Sequence, residues 1–513
     1  MELRIPDGAR TIIDKLTDAG YEAYIVGGCV RDMLLGREPG DWDITTSATP
    51  VQVKEIFRRT VDTGIEHGTV TVLIQGGSYE VTTYRMDGKY EDHRHPSEVI
   101  FTPSLEEDLK RRDFTINAFA YNDESGIIDL FGGQKDLEKK IIRCVGDPCE
   151  RFTEDALRML RAIRFAGQLL FDIEKETLEA IKKLAPTIVN ISAERIRIEI
   201  NKLLLSAGSD RLRLAYETGL SSFFLPEFDA MMECEQNNPH HCYSVGEHTL
   251  RVIEGVHGLM ERDDPQRIET PEPEMYAAHT FEFSDKEKTA LVFAALLHDV
   301  AKPVCITTDE NGVDHFYGHD KKGEQMANDI MRRLKFDNDT RKLVCTLVRY
   351  HDARYDSCLP ATEADGADGA GSSQGDEKKH PYDTASETDA GKDQKNNALG
   401  KRFMRRLMNR AGRDVMPALF ILQRADIMSQ SEYKREKKLR VLDAGIRCYR
   451  EVCEDEDAID IKDLAVTGRD LMDEKGYKSG PEIGRELKRL LELVLDDPAL
   501  NTREKLLALT KEP

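Results

Sequence analysis

The stretch GGCVRDMLLGREPGDWDIT, residues 27–45, sets the reading of this chain. The apolar run YEAYIV leads into Gly27-Gly28, VRDMLLG follows with a helix-like pattern stopped by Gly36, and Asp41 and Asp43 flank Trp42, the only tryptophan. The order expected is strand, glycine turn, short helix, strand. Residues i and i+2 of a strand share a face, so the spacing predicts two adjacent carboxylates with Trp42 on the opposite side. Two such charges repel, and Mg²⁺ relieves the repulsion while keeping sites for water and phosphate oxygens. Backbone N–H groups at a glycine turn that opens a helix form an anion site, here at Gly28, with Arg31 one turn in and placed to reach a phosphate. No Gly-Lys-Ser/Thr follows, which excludes a P-loop. A phosphate grip beside a metal-binding strand suits nucleotidyl transfer. Asp41 and Asp43 are the expected catalytic metal ligands, and Glu80, in the strand-like YEVTTYR, is the candidate third carboxylate.

Outward from this stretch, the first ~145 residues mix strand-like segments (GTVTVLIQ, YEVTTYR) with helical ones. Asp147-Pro148 marks a boundary, after which the periodicity is helical nearly to the end, with no repeat of fixed period. Residues 261–288 are polar and proline-bearing and are expected to be a loop insertion. Residues 357–400 are rich in Gly, Ser, Asp and Ala and are expected to be disordered, because they offer too little apolar surface to offset chain entropy. The 513 residues are enough for three or four domains. No apolar run approaches the ~18–20 residues that span a membrane, and MELRIPDGARTIIDKL lacks a signal-peptide core. Ten scattered cysteines without a Cys-x-x-Cys fit reduced thiols, and the expected location is the cytoplasm. The net charge of −22 argues by itself against nucleic-acid binding. Basic clusters at Arg111-Arg112, Arg158–Arg164 and Lys401–Arg413 offset that locally, so the total decides little.

The pattern GGxVRDxLLG…DxDIxTxATP resembles the class II tRNA nucleotidyltransferases, which comprise the CCA-adding enzymes and their bacterial poly(A) polymerase relatives. The resemblance implies an α+β fold: a polymerase-β-like nucleotidyltransferase head, residues 1–146, and then an all-helical remainder. That remainder divides into a neck that binds RNA and nucleotide (147–230), an HD domain (231–430, with the insertion at about 357–400) and a helical tail (431–513). It further implies addition of CCA to the 3′ end of tRNA from CTP and ATP, with tRNA as partner and neither DNA nor membrane involved.

EEDLKRRDFTINAFAY, residues 106–121, matches the family's second motif. Arg112 offers a planar donor fork for phosphate and Asp113 an acceptor for a ribose hydroxyl, with Arg111 and Asn117 in support. GDPCERFTEDALRMLRAIRFA, residues 146–166, reads as one helix on which Asp155 and Arg158 are neighbours three positions apart, Arg161 and Arg164 continue around the surface, and Leu157, Leu160 and Ile163 form the apolar side. A carboxylate accepts from an exocyclic amine and a guanidinium donates to a ring nitrogen. One Asp–Arg pair could therefore accept C and A and reject U and G without a nucleic-acid template. The resemblance implies that role for this Glu-Asp-x-x-Arg motif. TYRMDGKYEDHRHPSEVIFT, residues 83–102, resembles the family's flexible loop, with Asp92 and Arg94 intact, and SAERIRIEINKLL, residues 192–204, resembles the next neck helix.

A second ligand set follows: His248 in VGEHTLRVI, His298-Asp299 in LLHDVAKP, His319 in FYGHDKKGE, His351 in VRYHDARY and Asp426 in LQRADIMSQ. In this order they resemble the HD superfamily of metal-dependent phosphohydrolases. Imidazoles with carboxylates suit Mn, Fe, Ni or Co as well as Mg. The final segment, 463–509, resembles the family's tail, with a helix start at Gly480-Pro481. The alternatives left open are a poly(A) polymerase, an enzyme adding only CC or only A, and an HD phosphohydrolase with a degenerate head.

Overall fold

The computed structural model describes residues 4–87, 99–260, 281–360 and 389–512. The chain divides into two compact units, one running to Glu233 and including Ile330–Phe336, the other made of Cys234–Asp329 and Asp337–Pro513.

The first unit opens with a mixed sheet. Its strands are β1 (Ala23–Val26), β2 (Asp43–Thr46), β3 (Thr60–Gly64), β4 (Thr69–Ile74), β5 (Gly77–Thr83), β8 (Phe119–Asn122) and β9 (Gly126–Asp129), ordered β3-β4-β5-β2-β1-β8-β9. A separate two-stranded ribbon pairs β6 (Arg85–Asp87) with β7 (Val99–Phe101). The β-branched runs DITT and TVTVLI form strands because such side chains pack well on a pleated surface. Ile25, Ile44, Val70, Val72, Val81 and Phe119 supply buried core beneath it. The pairing β2·β5 is parallel, whereas β1 runs antiparallel to β2 and β8. The strand order thus brings the DxD segment between the diglycine strand and the strand of Glu80.

The expected single helix over the third motif is instead two. One helix covers Pro148–Glu154 and the next Leu157–Leu169, with Asp155 in extended conformation between them. The Asp155 carboxylate accepts from the backbone N–H of Leu157 at 3.1 Å. This is the competition with helical hydrogen bonding that makes aspartate a better helix starter than helix interior. The expected apolar side is correct, since Leu157, Leu160 and Ile163 are all buried.

The second unit is largely helical. The expectation of an all-helical remainder needs a small correction, because Asp172–Ile173 of the first unit pairs with Ile141–Ile142, and Thr307–Thr308 pairs with Asp314–His315 in the second. The expected loop at 261–288 gives way at its end to a helix, Asp285–Leu297. Ser284 and Glu287 form a capping box there, the S-x-x-E signature of a helix start. Residues 261–280 lie outside the described residues. The expected disorder over 357–400 is likewise wrong at both ends. Asp356–Cys358 is a 3₁₀ turn, and a helix runs from Asp389 to Ala411. The helix is held by the buried Met404, Leu407, Met408 and Ala411, and at Gly400 by close approach to Cys358, where an added Cβ would sit 2.9 Å from its Cα. Residues 361–388, and Asp92 and Arg94 in the earlier loop, lie outside the described residues.

Candidate active site and metal centre

β1 ends at the diglycine turn. Gly27 has φ +78°, a conformation that glycine adopts at little cost, and its N–H donates to the Phe119 carbonyl at 3.2 Å. A Cβ at Gly27 would meet Arg112 Nη1 at 2.8 Å. The guanidinium therefore lies directly against the turn, and the missing side chain is what admits it. Gly28 opens the helix Gly28–Leu34, and a Cβ there would lie 3.6 Å from Arg31 Nη2.

Arg31 departs from its expected role. It is buried and donates from Nε and Nη2 to Asp32, each at 2.9 Å, and from Nη1 to Asn117 Oδ1 at 2.7 Å. It sits beside the turn with its donors engaged by protein groups. Arg112 is the less committed cation: Nη2 makes one long bond of 3.4 Å to Asp108, and Nε is buried without a partner. Asp108 is wholly buried and also accepts from Arg111 at 2.7 Å and Thr45 at 3.2 Å.

Of the two aspartates only Asp43 is in the strand: β2 begins at Asp43 and Asp41 precedes it. Both side chains reach solvent, and Asp43 lies in register with Glu80 of β5. Partial desolvation by the surrounding structure raises the Asp43 carboxyl above the usual range; the charges of Glu80 and Asp41 push the same way, while Arg112 opposes them. The charges of Glu80 and Asp41 thus reach Asp43 and are only partly offset by Arg112.

Asp113 is not available to a ribose hydroxyl. Its oxygens accept from Phe114 N at 2.8 Å, Asn117 Nδ2 at 3.0 Å, Arg161 Nε at 2.8 Å and Arg161 Nη2 at 2.6 Å. These fill the roughly four acceptor positions of a carboxylate. Burial alone would raise its pKa, but Arg161 and Asn117 outweigh burial and hold it at about 2. Arg161 and the buried Arg164 also share Glu199, at 3.7 and 2.5 Å. The guanidiniums of Arg31, Arg161 and Arg164 surround the Phe165 ring at 5.1, 5.3 and 3.9 Å from its centroid. The arginine bank thus joins the diglycine helix to the helices of the third motif and the following neck motif through Asn117, Asp113 and Glu199.

Asp155 and Arg158 are brought near each other in sequence but hold other partners. Arg195 donates to Asp155 at 2.7 and 3.4 Å. Arg158 donates to the carbonyls of Arg151 at 3.1 Å and Arg111 at 2.9 Å and to Glu154 at 2.5 Å. Sequence reasoning missed Arg195 and Glu199 as working residues. Their signal was present, four positions apart on one face of the quoted neck motif.

In the second unit, five helices converge. His248 comes from Val245–Met260, and His298 and Asp299 end the helix Asp285–Leu297. His319 starts His319–Arg333, His351 ends Asn338–Tyr350, and Asp426 lies on Met416–Ser429. All six expected ligands come together as two triads, His248/His298/Asp426 and Asp299/His319/His351, each with its ligand atoms within 4.8 Å of one another. Asp299 stands between them, Oδ2 at 3.1 Å from His298 Nε2 and Oδ1 at 3.6 and 3.7 Å from His319 and His351.

The imidazoles themselves test whether a metal fits. Nδ1 of His298, His319 and His351 lies 2.8, 2.8 and 2.7 Å from the carbonyls of Ala295, Phe316 and Val348. A carbonyl only accepts, so each Nδ1 carries a proton and each Nε2 faces the centre. His298 Nε2 then faces His248 Nε2 at 3.4 Å, and His319 Nε2 faces His351 Nε2 at 3.2 Å. Carboxylates share the space, with Asp426 Oδ1 2.9 Å from His248 Nε2 and Asp299 Oδ2 3.1 Å from His298 Nε2, and such a donor set of imidazole nitrogens and carboxylate oxygens suits a divalent metal. Sequence reasoning missed two supports. Lys302 Nζ lies 2.7 Å from Asp299, a contact visible in the i,i+3 spacing of HDVAK. Gln423 donates to the carbonyls of His351 and Ala353 at 3.0 Å each and accepts from Tyr355 at 2.9 Å.

Residues 23–143 match the poly A polymerase head domain and 170–232 the probable RNA and SrmB-binding site of polymerase A. Residues 245–415 match the HD domain and 420–510 the tRNA nucleotidyltransferase domain 2. A CCA-adding enzyme of Leuconostoc mesenteroides is 55% identical over 208 residues, 40% of this chain and 52% of that protein. One from Geobacillus thermodenitrificans is 55% identical over 213 residues, 41% and 53% of the two chains. The chain spans about half the length of the curated relatives it matches. The crystal structure of Bacillus stearothermophilus CCA-adding enzyme in complex with CTP has a TM-score of 0.63 at 28% identity, covering 98% of this chain and 95% of that one. Thermotoga maritima CCA-adding enzyme complexed with tRNA shares the fold, with a TM-score of 0.53 at 18% identity over 98% and 93% of the two chains. No helix among the described residues is long and apolar enough to cross a membrane. With matched domains in the order head, RNA-binding, HD and tRNA nucleotidyltransferase, and a fold likeness along nearly its whole length, the chain is similar in domain order and fold to the CCA-adding enzymes.

Proposed function

We propose that this protein adds CCA to the 3′ end of tRNA from CTP and ATP without a nucleic-acid template, in the cytoplasm. The observation that carries the reading is the register of Asp43 with Glu80, beside Asp41 and a diglycine turn against which Arg112 rests. Asp41 and Asp43, with Glu80 beside them, would hold Mg²⁺, which would supply charge neutralisation and lower the pKa of the attacking tRNA 3′-hydroxyl. Arg112 orients the triphosphate at the turn near Gly28. Its one long bond, from Nη2 to Asp108, leaves Nη donors for phosphate oxygens. Arg31, Asp113, Arg161 and Arg164 shape the nucleotide site by holding head and neck motifs in register through their mutual bonds. Asp155 and Arg158 read the Watson–Crick edge of the incoming base, Asp155 accepting from the amine of C or A and Arg158 donating to the neighbouring ring nitrogen. The division of labour follows the boundaries 1–146, 147–230, 231–430 and 431–513. The test is an extension assay with purified protein, Mg²⁺ and tRNA lacking its 3′ end, supplied with each nucleotide alone and together. Addition of C, C and A, in that order and then stopping, supports the reading. A long A tail identifies a poly(A) polymerase, and CC alone or A alone identifies a partial enzyme.

A second activity is favoured by the inward-facing Nε2 atoms of the HD triads: a metal-dependent phosphohydrolase using Mn, Fe, Ni, Co or Mg. Hydrolysis of p-nitrophenyl phosphate by the metal-loaded chain, absent in His298→Ala, tests it.

A further inference from the structure

Asp108 lies wholly buried on the helix Leu105–Lys110, and its carboxylate gathers several elements of the head. Oδ1 accepts from Arg111 Nη2 at 2.7 Å, from Arg111 Nε at 3.1 Å and from the Arg85 backbone N–H at 3.4 Å. Oδ2 accepts from the Thr45 hydroxyl at 3.2 Å and from Arg112 Nη2 at 3.4 Å. Thr45 lies two residues beyond Asp43 on β2 and therefore on the same face of the strand. Thr82 stands opposite Thr45 on β5 as Glu80 stands opposite Asp43. The buried carboxylate is thus anchored to the strand face that carries Asp43.

Two arginines share this anion unequally. Arg111 takes the short bonds, and one carboxylate cannot neutralise two guanidiniums, so the group of three keeps a net positive charge. Burial alone would raise the Asp108 carboxyl, but the charges of Arg111 and Arg112 and the bonds from Arg111 and Arg85 hold it below the ordinary range, and it stays an anion. Arg112 stands between two pulls. Asp108 holds its Nη2, while its charge also reaches Asp43, where it outweighs that of Glu80 or Asp41. Among the described residues Asp108 is the acid with which Arg112 pairs, and Arg112 Nη1 rests against Gly27. Without the Asp108 charge, the strongest attraction left to Arg112 is the group Asp41, Asp43 and Glu80. A guanidinium paired there would be lost to phosphate and would compete with a cation for the same oxygens.

We propose that Asp108 is a positioning residue for nucleotide addition: its carboxylate holds Arg112 at the diglycine turn and off Asp41, Asp43 and Glu80, which keeps the guanidinium for phosphate oxygens and the three carboxylates for a divalent cation. Asp108 acts through Arg112 and touches neither nucleotide nor metal. The inference rests on the nucleotidyl-transfer reading of the head. Its test therefore includes a structural readout that needs no turnover, so that the two can fail separately.

Asp108→Asn in the full chain keeps the shape and removes the charge. Its crystal structure should show Arg112 turned away from Gly27 and paired with Asp43. In extension assays on tRNA lacking its 3′ end, the half-saturating Mg²⁺ concentration and the KM for CTP should each rise about tenfold, the worth of one charge-assisted hydrogen bond, while kcat at saturating Mg²⁺ and CTP stays within about threefold of wild type. Mg²⁺ and Arg112 compete for the same carboxylates, so raising Mg²⁺ should bring the KM for CTP back toward wild type. A general loss of packing would instead lower kcat at every Mg²⁺ concentration. Arg112 found in its wild-type place, or a KM raised equally at all Mg²⁺ concentrations, overturns the proposal. Where circular dichroism shows Asp108→Asn to be unfolded, Thr45→Val takes its place, since it removes one bond that orients Asp108 and keeps the charge. The same two shifts are then expected at smaller size, and wild-type values for both overturn the proposal. A wild-type chain that adds no C, C and A counts against the nucleotidyl-transfer reading, and the place of Arg112 in the variant crystal still decides this one.

Discussion

Arg195 donates to both carboxylate oxygens of Asp155 across forty positions of sequence, so the carboxylate proposed to read the incoming base is already oriented before any base arrives. Asp155 also starts the helix Leu157–Leu169 by capping Leu157. The residue is fixed from two sides, which is what discrimination by hydrogen-bond geometry needs. Asp155→Ala should reduce the preference for CTP over UTP by about tenfold to a hundredfold, the worth of one buried hydrogen-bond mismatch of ~1–3 kcal/mol. Arg195→Ala should produce a smaller loss in the same direction, with a rise in misincorporation larger than any rise in KM. Measured incorporation of all four nucleotides into tRNA lacking its 3′ end decides this; unchanged discrimination in Asp155→Ala refutes the base-reading role.

Asp43 and Glu80 share a register position on neighbouring parallel strands. Asp43→Ala should lower nucleotide addition about a thousandfold, since metal-assisted charge stabilisation is worth several kcal/mol. Its thermal stability should be equal or higher, because one member of a repelling cluster is gone. A variant that keeps wild-type turnover would remove Asp43 from the chemistry.

The depressed carboxyl of Asp113 ties stability to pH. Its folded value of about 2 lies below the ordinary 3.8 because Arg161 and Asn117 outweigh burial. A folded value below the unfolded one means the unfolded chain takes up the proton first. The contribution is thus complete above about pH 4 and is lost as pH falls from there through 2, amounting to about 2 kcal/mol. Asp113→Asn should be less stable than wild type at pH 7, and the gap should narrow as denaturant midpoints are followed from pH 5 down to pH 2. A gap that stays constant would show that Asp113 acts through packing rather than charge.

The HD ligands make a prediction about metal content. Asp299 lies between both triads, so Asp299→Ala should lose more bound metal than His248→Ala or His319→Ala, each of which touches one triad. Gln423 holds the His351 carbonyl from the helix that carries Asp426. Gln423→Leu should weaken metal binding about tenfold to a hundredfold, as outer supports of metal ligands do. Elemental analysis after dialysis against defined metal buffers measures both effects. Equal metal retention in Asp299→Ala and wild type would sink the two-triad reading.

The local sequence determined the diglycine turn, the short helix ended by Gly36, the β-branched strands and the spacing of the HD ligands. Each follows from backbone preferences or periodicity within a few residues. It could not decide what Arg31, Asp113 and Arg164 do. Read alone, arginines beside a glycine turn are free phosphate donors and Asp113 is a free acceptor; in the fold Asn117, Asp32 and Glu199 arrive from other elements and take up most of that capacity. The same holds at Asp155, where helical periodicity favours a neighbouring Arg158. The carboxylate gains more by capping Leu157 and meeting Arg195, a partner forty residues on. Hydrogen-bonding capacity is finite, and tertiary structure decides where it is used. The sequence named the chemical groups, and only the fold determined which of them remain open to a ligand.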